Sequence, residues 1–145
     1  MAVESITATA VLSSGMANGA VIKTGIIAAG VTVTQSQALA KDSSGNLILC
    51  DNDSATALTR VYIGRALAAG SPGQTITYVE SDPNFTTGAT GIIGSTIWTS
   101  STAGGTTITA ADNTTGKYIT AIGIYTSTTT ATIGLGFYAG AAVPA

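Results

Sequence analysis

Asp51-Asn52-Asp53 opens like a calcium-binding loop, in which alternating oxygen-bearing side chains surround a hard cation. The pattern breaks at its sixth position, where Thr56 replaces the Gly that the sharp turn needs. It breaks again at the twelfth, where Tyr62 replaces the bidentate Glu. The segment reads as a turn with solvated carboxylates. Gly88-Ala89-Thr90-Gly91-Ile92-Ile93-Gly94 repeats glycines but lacks the strand–helix frame that presents a helix N-terminus to phosphate. Gly70-Ser71-Pro72-Gly73-Gln74 lacks the Lys of a P-loop and reads as a tight turn. Cys50 lies in the apolar run Leu47-Ile48-Leu49-Cys50, and the chain has no His to activate it. The seven carboxylates and three lysines are scattered, mostly beside turn residues. These residues predict no catalytic centre, no metal and no cofactor, because acid–base work needs His or a carboxylate or Lys with a tuned pKa.

Charge is the second constraint. Only 8% of residues are charged, against about 25% in an ordinary soluble domain. Two long stretches, Pro83–Ala111 and Tyr118–Ala145, contain no Asp, Glu, Lys or Arg. Lone strands of that kind invite edge pairing and association, so neighbouring subunits are expected to cover much of this surface. The net charge is −2, and Lys23, Lys41, Arg60, Arg65 and Lys117 are spread along the chain, which argues against nucleic acid as a partner. Ser5–Ile22 is long enough to cross a membrane, but Thr7, Thr9, Ser13, Ser14, Gly15, Asn18 and Gly19 interrupt it. No membrane partner is expected. The N-terminus has no Lys or Arg before Lys23 and so lacks the positive start of a signal peptide.

The elements that hold these residues read as all-β, a small β-barrel or β-sandwich with little or no helix. β-branched residues alternate with Gly, Asn and Asp clusters at short spacing. Predicted strands are Glu4–Leu12, Ala20–Ile27, Gln37–Asp42, Asn46–Asp51, Arg60–Leu67, Gln74–Glu80, Ser95–Ser100, Thr106–Ala110, Lys117–Tyr125 and Thr130–Phe137. Ala131, Ile133 and Leu135 fall on one face. Asp53–Leu58 is the best place for a single helical turn. Ser43-Ser44-Gly45-Asn46 and Ala103-Gly104-Gly105 are expected hairpin loops.

The layout repeats. Ile63-Gly64 and Ile122-Gly123 lie 59 residues apart, and Leu39 and Ile97 lie 58 apart. Residues 1–145 therefore form one β domain. Residues 1–28 are N-terminal strands or an arm, 29–80 a first β unit and 86–138 a second, each too small for a good core alone. Four residues are candidates for partner contact. Trp98 and Tyr125 are aromatics of the second unit that serve either the core or an interface anchor. Arg60 and Arg65 fall on opposite faces of one predicted strand, so one of them points outward, to an acidic partner or as an edge charge that blocks mispairing.

Ala29-Gly30-Val31-Thr32-Val33, Gln37-Ala38-Leu39-Ala40 and Gly45-Asn46-Leu47 resemble the opening of small capsid decoration (cement) proteins of tailed bacteriophages. The resemblance continues through Asp51, Asp53, Ser54-Ala55, Val61-Tyr62-Ile63-Gly64-Arg65-Ala66-Leu67 and Gly73-Gln74-Thr75-Ile76-Thr77-Tyr78-Val79. It covers 29–79, about a third of the chain. Ser36 departs from it, standing where that family commonly has Gly. The resemblance implies a structural virion protein on the exterior of the capsid. Its partners would be the major capsid protein and its own copies as a homotrimer, and it would stabilise joints between capsomers. A phage tail, collar or fibre module, and a carbohydrate-binding β-sandwich using Trp98 or a Tyr as a stacking platform with Asp51 or Asp112 binding hydroxyls, are the rival readings.

Overall fold

The computed structural model describes residues 3–4, 19–109, 117–134 and 141–142. Its strands are β1 (Val21–Ile26), β2 (Ala38–Lys41), β3 (Leu47–Leu49), β4 (Gly64–Ala66), β5 (Thr75–Thr86), β6 (Thr96–Thr99), β7 (Thr106–Thr107), β8 (Tyr118–Ile119), β9 (Ala121–Tyr125), β10 (Thr130–Ile133) and β11 (Ala141–Ala142). The fold is all-β, with a strongly curled antiparallel sheet that forms a half-barrel. The sheet runs β3-β2-β4-β5-β10-β9-β6-β7, with β1 also on β5, while β8 and β11 pair separately.

Reading inward from either end of the sheet gives a hairpin, then a third strand, then a fourth, and the two fourth strands meet at the β5–β10 seam. The register repeats as well. Leu39 faces Gly64 across β2 and β4, and Ile97 faces Gly123 across β6 and β9. Both glycines are required by the same close approach to the next strand. A Cβ on Gly64 would lie 2.5 Å from Val79 O, and one on Gly123 would lie 2.7 Å from Thr132 O. The sequence similarity between the units thus marks equivalent backbone contacts.

Two clusters make the core. Ile27, Val33, Leu39, Leu47, Ala66, Ile76 and Tyr78 pack inside the first unit. Ala38, Ala40, Cys50, Tyr62, Val79 and Phe85 pack against Ile97, Ile122, Tyr125, Ala131 and Ile133 of the second. All of β2 before Lys41 and all of β4 are buried, because alternate residues point into different clusters. Main-chain bonds also tie the two units where the β6–β7 turn meets β2 and the segment after β3. Ala38 N donates to Gly104 O (2.9 Å), Gly104 N to Cys50 O (2.7 Å) and Asn52 N to Ser100 O (3.1 Å).

Several elements differ from the sequence-based expectation. The short helical turn is a 3-10 turn at Ala57–Arg60, later than Asp53–Leu58, and Thr56 at its start makes no side-chain cap. Arg60 therefore ends a turn, and the expected strand Arg60–Leu67 is narrowed to Gly64–Ala66. β5 continues six residues past Glu80. Pro83 is tolerated there because β5 has left β1 and β4 and pairs with β10 alone, in a register shift between Ala131 and Ile133. The predicted Lys117–Tyr125 strand is broken at Thr120 into β8 and β9. Residues 5–12 of the first predicted strand, Ala110, Leu135 and the rest of an N-terminal arm lie outside the described residues.

Candidate functional site

Among the described residues of β6, β9 and β10, the outer face of the second unit carries no formal charge. Ile124 in β9 sits between Thr96 of β6 and Thr132 of β10, and side chains directly opposite on antiparallel strands share a face. Ile124 and Thr132 are exposed and Thr96 is half-buried, whereas Ile97, Thr99, Ala131 and Ile133 point inward. The β5–β6 connection carries two more exposed isoleucines. Ser95 N donates to Ile92 O (2.9 Å), closing a four-residue turn with Gly94 at φ 84. A positive φ at the third residue is the type II pattern, which suits Gly. The turn is fastened to β9 by Gly94 N donating to Tyr125 O (2.8 Å) and Tyr125 N donating to Ser95 O (3.0 Å). Gly91 packs flat on the Tyr125 ring, where a Cβ would come within 2.3 Å. Ile92 and Ile93 thus stand out on this turn, each 66% exposed, and Ile124 on β9 is 44% exposed.

Of the four predicted contact residues, Trp98 is half-buried in β6 and belongs to this second-unit sheet. Tyr125 is 1% exposed and is a core residue that supports the face from beneath. Arg60 is half-buried, and its guanidinium stacks 3.6 Å from the centroid of the Tyr118 ring. Arg65 is fully buried, which corrects its place among the contact candidates, and the two arginines do not share a strand: Arg60 ends the 3-10 turn and Arg65 lies in β4.

Arg65 instead holds a strained turn. Ser36 has φ 66, the one non-glycine in the left-handed region among the described residues. Its polar atoms are all engaged. Ser36 N donates to Ala66 O (2.7 Å), and its carbonyl accepts from Arg65 Nε (2.9 Å). Ser36 Oγ accepts from Arg65 Nη2 (2.5 Å) and donates to Thr87 O (2.6 Å). The guanidinium carbon also lies 5.3 Å from the Phe85 ring centroid. This links the first unit to Thr87, whose hydroxyl lies 3.1 Å from Tyr125 OH. Nothing in the sequence pointed to Arg65 as the partner of Ser36.

Titratable groups elsewhere are few. Burial, and then a hydrogen bond with Asp53, pushes the Asp51 carboxyl up to about 6. Burial drives the Cys50 thiol up to about 12, far from the thiolate a nucleophile needs. Among the described residues no three His, Cys, Asp or Glu side chains gather to hold a metal ion. No protein-family model matches the chain, and no curated protein or solved structure is found to be similar to it.

Proposed function

We infer that this chain is a structural virion protein, a capsid decoration (cement) protein that binds the outer surface of a phage head and stabilises joints between capsomers. The observation that carries the reading is the exposed apolar surface of the second unit: Ile124 stands between Thr96 and Thr132 on the sheet, Ile92 and Ile93 stand out on the β5–β6 turn, and Pro83 to Thr109 carries no formal charge. Interfaces have this anatomy, apolar anchors with a polar rim and few charges at the centre. Burying the exposed part of each isoleucine contributes on the order of 1–2 kcal/mol before association costs. Repetition over a shell multiplies such weak contacts by effective concentration. The decoration-protein pattern over 29–79 supports the identity of the partner as the major capsid protein, with self-association as a homotrimer. The role asks for no catalytic residue, cofactor or nucleic acid.

The test is cosedimentation of the purified chain with heads of the phage that encodes it, followed by electron microscopy. The expected result is saturable binding with copies in the hundreds per shell, lost in Ile93→Asp. A few to a dozen copies per particle would assign the chain to a tail, collar or fibre. No binding to heads, with the chain folded, would overturn the reading.

A further inference from the structure

Asn52 sits where the first unit enters the sheet of the second. Its side-chain Nδ2 donates to Thr99 O (3.0 Å) and its backbone N to Ser100 O (3.1 Å), so it takes both carbonyls at the end of β6. On its other side, Asn52 O accepts from Tyr118 N of β8 (2.8 Å). Thr99 N donates to Thr120 O (3.1 Å), which sets Thr99 opposite Thr120 at the break between β8 and β9. Asn52 is 1% exposed, Thr99 0% and Thr120 5%. Yet Asn52 Oδ1, Thr99 Oγ1 and Thr120 Oγ1 have no hydrogen-bond partner among the described residues. Three buried, unpartnered oxygens therefore belong to residues that are hydrogen-bonded to one another in series.

We propose that Asn52, Thr99 and Thr120 form a site for an internal water molecule, which completes the joint between the two units. The proposal is independent of the virion reading. A buried polar atom without a partner costs free energy, and internal waters satisfy such groups with about two to four hydrogen bonds each. The chemistry of the three oxygens selects the ligand. Asn52 Oδ1 only accepts, because the donor end of its amide is fixed on Thr99 O. The two hydroxyls donate or accept as they rotate. An anion would face Oδ1 with no proton between them. A hard cation such as calcium takes about six to eight oxygens, carboxylates among them, whereas the unpartnered oxygens here are three and neutral. Water alone among these donates to Oδ1 and bonds both hydroxyls.

Crystal structures of the full chain and of the double variant Thr99→Val/Thr120→Val, which keeps the side-chain shape and removes both hydroxyls, test this. The wild type should show an ordered water within about 2.5–3.2 Å of Asn52 Oδ1 and of at least one threonine hydroxyl, and the variant should lose it. Wild-type density with no peak at these oxygens, or with the hydroxyls turned onto protein acceptors, would overturn the proposal. So would a peak ringed by about six or more oxygens, which would be a cation, and so would a peak that persists unchanged in the variant. If the variant does not fold, the wild-type density alone decides. In solution, water-deuteron relaxation dispersion should lose the amplitude of a single long-lived molecule in the variant, and an undiminished amplitude refutes the shared site.

Discussion

Substitution of Ser36 separates two opposing energies that the structure places on one residue. A non-glycine residue in the left-handed region carries about 1–2 kcal/mol of backbone cost, which Ser36→Gly removes. The same change deletes a buried hydroxyl bonded to Thr87 O at 2.6 Å and to Arg65 Nη2 at 2.5 Å. Losing a neutral hydrogen bond costs roughly 0.5–1.5 kcal/mol, and losing one to a charged group roughly 1.5–3. The balance predicts that Ser36→Gly is destabilised by about 1–2 kcal/mol. Ser36→Ala loses the same bonds and keeps the strain, so it should fall about 1 kcal/mol below Ser36→Gly. Urea denaturation with a common slope would give these differences, and thermal melting should drop by roughly 2–4 °C per kcal/mol in a chain of this size. A Ser36→Gly protein more stable than wild type would show that the Arg65–Ser36–Thr87 contacts contribute less than the backbone strain costs. Equal stability of the Gly and Ala variants would show that the turn is unstrained.

Gly64→Ala and Gly123→Ala should each lose about 2–3 kcal/mol in denaturant titrations, since their Cβ atoms meet backbone oxygens at 2.5 and 2.7 Å. Gly134→Ala, whose nearest neighbour would be 3.9 Å away, should stay within about 1 kcal/mol of wild type. Asp51 contributes a pH dependence: its carboxyl is raised from 3.8 to about 6, so the native state holds this proton more tightly than the unfolded chain. Its contribution to stability is therefore complete below about pH 4 and is lost as pH rises to about 6. Asp51→Asn should remove that slope from denaturation midpoints measured across this window, and an unchanged slope would contradict the assignment.

Much of the architecture was legible in the residues. Alternation such as Thr75-Ile76-Thr77-Tyr78 buries Ile76 and Tyr78 and exposes both threonines, as a half-covered strand must. The hairpin loop at Gly45 and the turn at Gly73 sit at positive φ, a conformation that Gly adopts without steric cost. The 59-residue spacing of the two Ile-Gly pairs marked a duplication because equivalent strands approach their neighbours equally closely. The short spans of β3, β4 and β7 could not be read from propensity, since Thr-rich segments continue in strand-like composition beyond the last ladder bond. Pro83 hid the second half of β5, because local chemistry argues for a break and only the pairing partner removes the objection.

The scarcity of charge and the absence of His, which narrow the chemistry open to this chain, are properties of composition and need no coordinates. Burial of individual residues is different in kind. Arg65 and Ile124 are each the residue after the paired glycine of their unit, yet Arg65 is sealed in the core and Ile124 stands in solvent. Period-two alternation names two faces of a strand but not what lies against each. That is settled by the curl of the sheet, which presses the first unit's β2 and β4 between two apolar clusters and leaves one face of β9 open. The strained Ser36 and the bond from Tyr125 OH to Glu4 arise from contacts between residues 29 to 121 positions apart, a separation at which local sequence carries no geometric information.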